Sequence, residues 1–326
     1  MRIELTTRLD QACLDEIVDL IETTAKIEGH RPVGEHKYAH LAVGATGWTG
    51  VLARDDGGTL VGYAHTRWNE PDADPRVAIE VVVHPDHRYE GRVASALLDE
   101  ARAVVARAGG GTVWLWVHRV DDPRKTLAAE LGFAVQRELA FMTRRLDDAV
   151  EPVALPPGVE LRPYRPGIDD DELLRVNNAA FAGHPENGDW DAGELAGRRA
   201  LPWFVADDAL LAWRGNTLLG FHWTKWHGHD SEEVPAHEPV GEVYILAVDP
   251  AAQGTGLGRG LLAAGLEHLA GRGCTIAVLY VDRASAGALR LYERAGFTVE
   301  YHEVCYEQSV PPEPDASGVD LRHPAP

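Results

Sequence analysis

Apolar and polar positions along the chain follow one order twice. RVAIEVVV (76–83), TVWLWVH (112–118), EVYILAV (242–248) and TIAVLYV (275–281) are short, nearly unbroken apolar runs rich in β-branched and aromatic residues. That is the pattern of strands covered on both faces. Within each pair lies an Ala/Leu-rich segment of helical spacing, SALLDEARAVVARAG (95–109) or LLAAGLEHLAGRG (261–273). TLVGYAHTRW (59–68) and TLLGFHWTKW (217–226) predict matching strands ahead of each set, and apolar spacing predicts early helices over Leu14–Glu28 and Glu172–Phe181.

These pieces superpose as an internal duplication of a β-α-β-α-β unit. His84-Pro85 falls on Asp249-Pro250, Gly91 on Gly256 and, after a one-residue shift, Gly132-Phe133 on Gly296-Phe297. The Pro- and charge-rich stretch Asp147–Gly158 reads as the join. The division expected is a first domain over 1–148, a linker over 149–158, a second domain over 159–308 and a frayed Pro-rich tail over 309–326. Each domain is expected to be α/β, a central mixed sheet flanked by helices.

Composition narrows the function. A formal charge of −20 in 326 residues argues against binding nucleic acid or an anionic membrane, either of which asks for basic patches. Cys13, Cys274 and Cys305 are too few and scattered for a disulfide framework or a zinc site, so reduced thiols and no metal are expected. No apolar run reaches a membrane span and the first residues lack a signal-peptide core. The expectation is a cytoplasmic, monomeric protein.

Chemistry concentrates in the second half. Gln253-Gly254-Thr255-Gly256-Leu257-Gly258-Arg259 lies between a predicted strand and helix, where unpaired backbone N–H groups and the helix dipole favour an anion. A dinucleotide fingerprint fits poorly, since the next strand ends in an acid, Asp282, too far on, and a P-loop is excluded because no Lys follows the glycines. Glu242 stands on the strand before this turn, placed to take a proton from an amine. Tyr292 follows the next strand and could protonate a departing thiolate, a phenol and a thiol having similar pKa values. Strict alternation would put residues 242, 244, 246 and 248 on one face. In the duplication register Val77 replaces Glu242, Ala128 replaces Tyr292, and Val93 replaces Gly258, where a branched side chain should crowd a phosphate.

The glycine turn, followed by Leu291-Tyr-Glu-Arg-Ala-Gly-Phe, resembles the two signatures of the GNAT superfamily of acetyl-CoA-dependent N-acyltransferases. The resemblance implies a sheet whose two central strands splay around acetyl-CoA. Leu246, Ala247 and Val248 would then meet the pantetheine, and the turn from Gln253 to Arg259 the pyrophosphate. Ser285, Ala286, Gly287, Ala288, Leu289 and Arg290 would line the cleft. Two further segments, Asn177 to Trp190 and Gly220 to His227, mix aromatic, amide and charged residues in a way that suits a sugar-like ligand.

With the tandem layout, they resemble the mycothiol synthase family, which acetylates the cysteinyl amine of a cysteinyl-glucosaminyl-inositol. That resemblance implies contacts to this acceptor from Glu35, Glu186, Lys225, Glu242 and Tyr280. It also implies a second acetyl-CoA site in the first half, at Val81, Val82, Val83 and at Arg88, Tyr89, Glu90, Gly91, Arg92 and Val93. A tandem acyltransferase acting on an antibiotic or a peptide N-terminus, and a non-catalytic acyl-CoA sensor, stay open as alternatives. The replacement Val77→Glu is expected to leave the first half inactive, because the acid and the loop glycine are missing too.

Overall fold

The computed structural model describes residues 1–6, 10–30, 32–34, 48–68, 75–88, 91–146, 152–184, 187–228 and 238–314. They form two compact units that are not contiguous in the chain. Unit 1 comprises residues 1–139 and 301–326, with a short piece at 233–235; unit 2 comprises 140–232 and 236–300. Each unit therefore takes its last strand from the other half of the sequence.

In unit 1, β1 (Arg2–Thr6), β2 (Trp48–Arg54), β3 (Leu60–Trp68) and β4 (Arg76–Val83) run antiparallel in order. β5 (Gly111–Val117) lies parallel to β4, and residues 304–310 of β12 (Thr298–Val310) pair antiparallel with β5. Ser309 and Val310, expected in the frayed tail, pair with Thr112 and Gly111 and extend the strand.

α1 (Gln11–Glu28) is capped by Asp10, whose carboxylate accepts the Cys13 N–H, and it stops at Gly29 in the left-handed conformation. Its Ile17, Leu20 and Ile21 cover one face of the sheet with Leu52, Tyr63 and Val82. α2 (Arg92–Arg107) covers the other face through Leu97, Leu98, Ala101 and Val104, and α3 (Asp122–Glu130) adds Ala128.

Unit 2 repeats this plan with β7 (Glu160–Pro163), β8 (Ala209–Arg214), β9 (Thr217–Gly228), β10 (Val240–Val248) and β11 (Ile276–Asp282). Its last strand is the end of β6 (Ala134–Arg145), beside β11. α4 (Asp170–Ala180) and α5 (Ala192–Arg199) bury Leu173, Val176 and Leu195 with Phe221, Trp223, Ile245 and Ala247. On the opposite face, α6 (Leu257–Gly271) and α7 (Ala286–Arg294) bury Leu262, Leu266, Leu269 and Tyr292 with Val243, Leu279 and Phe297. Burying each such Leu, Ile, Val or Phe contributes about 1.5–3 kcal/mol.

The duplication is visible atom by atom. The Phe133 N–H donates to Ala128 O at 2.9 Å, and the Phe297 N–H to Tyr292 O at 3.0 Å, each around a left-handed glycine, Gly132 or Gly296. Thr66 donates its hydroxyl to Thr49 O in unit 1, as Thr224 does to Asp208 O in unit 2. No helix among the described residues is long and apolar enough to cross a membrane, and the three cysteines are free thiols.

The contact between β9 and α6 depends on one missing side chain. His222 is fully buried, its Nδ1 lies 2.9 Å from Leu261 O, and burial lowers its pKa to about 4, so the ring is neutral and donates this bond. A methyl on Gly265 would lie 2.0 Å from that Nδ1. Gly265→Ala is therefore expected to destabilise the protein by about 1–3 kcal/mol despite alanine's better helix propensity. Urea unfolding of the variant against the parent measures this loss.

Candidate active site

In unit 2 the parallel strands β10 and β11 pair from Val240–Ile276 to Glu242–Val278 and then part. Residues 243–248 have no partner on β11 among the described residues, so one edge of β10 keeps its backbone groups open along a cleft. A β-bulge between Val243 and Ile245 interrupts the alternation. Glu242 and Tyr244 face α4 and α5, whereas Leu246 and Val248 pack toward α6. The expectation that 242, 244, 246 and 248 share a face is thus corrected, and the extra residue of the bulge is the reason.

The bulge also changes the comparison with unit 1. Lys225 pairs with Glu242, and its counterpart Arg67 pairs with Ala78, so Ala78 rather than Val77 stands in the place of Glu242. Neither residue can take a proton.

Beyond β10 the chain makes a short 3₁₀ turn, Pro250–Ala252, capped by Asp249, whose Oδ1 accepts the Ala251 N–H at 2.9 Å. Gln253 and Gly254 follow. Gly256, at φ +89°, begins α6 without a side-chain cap, so the first-turn N–H groups of Leu257 and Gly258 are open to an anion. Gly254 is also left-handed, and a methyl built on either glycine would meet nothing within 4 Å. The Thr255 hydroxyl donates to Ala252 O and fixes the turn from below. Arg259 follows in the first turn of the helix.

A methyl on Gly258 would point at Val248 and Leu291, into the protein. Its counterpart Val93 is likewise a core residue of unit 1, 7% exposed. The expected crowding of a phosphate by Val93 is therefore not what the backbone produces.

At the start of α7, Ser285, Ala286, Gly287 and Arg290 are exposed, while Ala288 and Leu289 lean on the core around Tyr292. Tyr292 is buried, its ring set edge-on to Phe297 at 5.9 Å, and burial raises its pKa well above the ordinary phenol value. The phenol is thus held protonated, and burial removes the match to a thiol's pKa that the sequence led us to expect.

On the α4/α5 face, strand register gathers Lys225, Glu242 and Tyr280. Glu242 lies between Lys225 on β9 and Val278 on β11, and Tyr280 is two residues beyond Val278 on the same side. Lys225 is buried with its ammonium 5.0 Å from the Trp203 ring centre, and Tyr280 is exposed, its ring 4.9 Å from that of Phe141. Trp203 and Tyr244 stack edge to face at 4.8 Å above Trp223. Arg198 bonds the Tyr244 hydroxyl and lies over Trp190. Trp223 is fully buried core and Trp226 packs toward α6 under Arg272, so Trp203 and Tyr244 make the aromatic wall instead.

Glu35 and Glu186 lie outside the described residues, as do Tyr89 and Glu90. The chain on either side of 185–186 is pinned. Asn177 Nδ2 donates to Asn187 O at 2.7 Å, and Asn178 exchanges two bonds with Trp190.

Unit 1 differs where its strands part. β4 and β5 stay paired through Glu80–Trp116, leaving only Val81, Val82 and Val83 beyond the last rung, against six residues in unit 2. At about 3.3 Å per residue its opening is shorter by roughly 10 Å. A carboxylate that the sequence reading passed over, Glu80, occupies the last rung, buried and already engaged. Its Oε2 accepts the Gly34 N–H at 2.8 Å and its Oε1 lies 3.7 Å from His118 Nε2, whose Nδ1 is 2.9 Å from Glu303 Oε1.

Arg88, expected to meet a phosphate, is turned inward to Glu28 and the Val83 carbonyl. Burial and neighbouring Arg124 lower its pKa to about 10. Gly91 caps α2 in the left-handed conformation, as Gly256 caps α6, with Arg92 opening the helix.

The sequence matches the acetyltransferase (GNAT) family twice, over residues 14–133 and 173–297. The chain belongs to that family, in tandem form, and is an acyltransferase; acetyl-CoA is the family's co-substrate. Over nearly its whole length it is similar to proteins named mycothiol acetyltransferase. That of Acidothermus cellulolyticus is 41% identical over 94% of this chain and 95% of its own length. That of Thermomonospora curvata is 42% identical over 92% and 94%. Among solved structures, the tandem GNAT protein of the clavulanic acid biosynthesis pathway superposes with a TM-score of 0.70 at 17% identity, covering 96% of this chain and all (100%) of that one. The GCN5-related N-acetyltransferase of Sphaerobacter thermophilus gives 0.69 at 19%, covering 98% of each.

His118 supplies a pH signature. Burial works against its charge, but attraction and hydrogen bonding to Glu303 and Glu80 outweigh that and raise its pKa to about 10. A histidine raised above its unfolded value of about 6.5 adds stability that is complete below that value and is lost as pH climbs toward 10. Thermal unfolding should show the parent losing about 2–4 kcal/mol between pH 7 and 10, and His118→Gln losing much less over the same interval.

Proposed function

We propose that the chain transfers the acetyl group of acetyl-CoA to the cysteinyl amine of 1D-myo-inositol 2-(L-cysteinylamino)-2-deoxy-glucopyranoside, giving mycothiol and CoA. The observation that carries this reading is the end-to-end similarity, 41% over 94% of the chain, to a relative named mycothiol acetyltransferase. The gathering of Lys225, Glu242 and Tyr280 on one face beside an aromatic wall supports it. A hydroxyl-rich acceptor suits such a mix of aromatic faces and charged hydrogen-bonding groups.

In this reading the open edge of β10 at Leu246 to Val248 pairs with pantetheine, and the N–H groups opening α6 hold the pyrophosphate with Gln253 and Arg259. The start of α7, Ser285 to Arg290, lines the far wall. Glu242 removes a proton from the cysteinyl ammonium, freeing the lone pair that attacks the thioester carbonyl. As the C–N bond forms and the C–S bond breaks, Tyr292 protonates the leaving thiolate. Lys225, Tyr280, Glu186 and Glu35 orient the sugar and cysteine. The N-terminal half turns nothing over. Its short opening and the commitment of Glu80 to Gly34 and His118 support that assignment.

Thiol release from acetyl-CoA in the presence of the cysteinyl glycoside tests the assignment. Glu242→Gln is expected to lower kcat about 10²–10⁴-fold with acetyl-CoA binding intact, and Tyr292→Phe about 10–10²-fold. Glu186→Ala should abolish acetylation of the glycoside and spare acetyl-CoA binding. No thiol release above background from the unaltered protein with this acceptor would refute the proposal.

A further inference from the structure

β9 carries a bulge of its own. Val240 pairs with Gly228 but Gly241 pairs with Trp226, so His227 is the extra residue. Bulges beside reactive sites re-aim one side chain, and this one turns the imidazole onto the Glu242 side of the sheet. His227 Nε2 lies 2.7 Å from Glu242 Oε2, with the two side chains 23% and 15% exposed. Among the described residues, Lys225 is a further charged group beside the pair, cross-strand to Glu242. From α5, Arg198 is committed to Glu194 and the Tyr244 hydroxyl.

We propose that His227 is the positioning and proton-accepting partner of Glu242, the group on which the proton of the acceptor ammonium comes to rest. This rests on the assignment of Glu242 as the base. A carboxylate takes a proton from an α-ammonium far uphill, whereas an imidazole takes it against a much smaller gradient. Handing the proton on removes most of that barrier and restores the carboxylate.

The balance closes. The ammonium N–H bond breaks and its proton goes to one oxygen of Glu242. That same proton, carried on Oε2, passes to Nε2 of an imidazole whose own proton sits on Nδ1, leaving imidazolium beside carboxylate. The neutral amine forms the C–N bond while the C–S bond breaks, and Tyr292 gives its proton to the thiolate. The second N–H proton makes good the one Tyr292 donated. The imidazolium then releases the single net proton of the reaction to water.

Rates and pH profiles of His227→Gln, His227→Ala and Glu242→Gln test this. His227→Gln keeps a hydrogen-bonding side chain beside Glu242 but cannot take up its proton. Both His227 variants should lose about 10–10²-fold in kcat with KM for acetyl-CoA changed less than about twofold, a loss within the range of acid–base catalysis. The dependence of kcat/KM on pH should change in both variants, and added imidazole should restore part of the rate to His227→Ala but not to Glu242→Gln. His227→Gln at the parental rate with an unchanged pH profile overturns the proposal. Loss in His227→Ala that is cured by glutamine and indifferent to imidazole overturns it too. A Glu242→Gln variant of normal activity would instead overturn the assignment of the base. Should His227→Ala fail to fold, the rate and profile of His227→Gln decide alone.

Discussion

The cleft depends on where two parallel strands stop sharing hydrogen bonds. Every buried N–H and C=O must find a partner, so a central strand that leaves its neighbour after three rungs either collapses back or waits for something else to bond. β10 cannot collapse onto β11 because the bulge after Val243 turns its following residues, and Ile245 and Ala247 are locked under α4. The unpaired edge, the open start of α6 and the exposed start of α7 thus face a common space. The same break sets the position of Glu242, which belongs to the last shared rung.

The two units differ by a small change in pairing that leaves a long unpaired edge in one and a short one in the other. In unit 1 the parallel pair runs on to Glu80, and that carboxylate is absorbed into a buried cluster with His118 and Glu303. Burying three such groups is tolerable only because each is paired; an isolated charge there would cost several kcal/mol. The last shared rung thus holds a carboxylate in each unit, at positions that do not correspond, and in unit 1 that carboxylate is part of the framework.

Much of this was legible in the sequence. The apolar runs marked the central strands, and the Gly-Phe pairs and paired turns marked the duplication, because a left-handed turn and a strand buried on both faces leave few residue choices. The glycine turn marked the uncapped start of α6 for the same reason. Bulges were not legible, since an extra residue in a strand changes no residue type; it exists only in the pairing of Val243 and Ile245 with Thr224 and Trp223. That is why alternation misplaced Leu246 and Val248, and why Val77 was matched to Glu242. Glu80 did leave a signal, as the one charged residue inside an otherwise apolar run, and such a residue is almost never buried unless paired. His227 left a weaker one, two positions from Lys225. The ownership of the last strands was hidden, because sequence order assigns each strand to its own half.

That exchange of last strands has a consequence for how the protein is made. β5 needs residues 304–310 as its neighbour, and these are synthesised almost 200 residues after Val117. At about 5–20 residues per second, the first unit would spend roughly 10–40 s on the ribosome with the free edge of β5 uncovered. Bare edges of this kind recruit strands from other chains. Shielding of the nascent chain, beside the stability of the finished fold, then bears on how much of it folds.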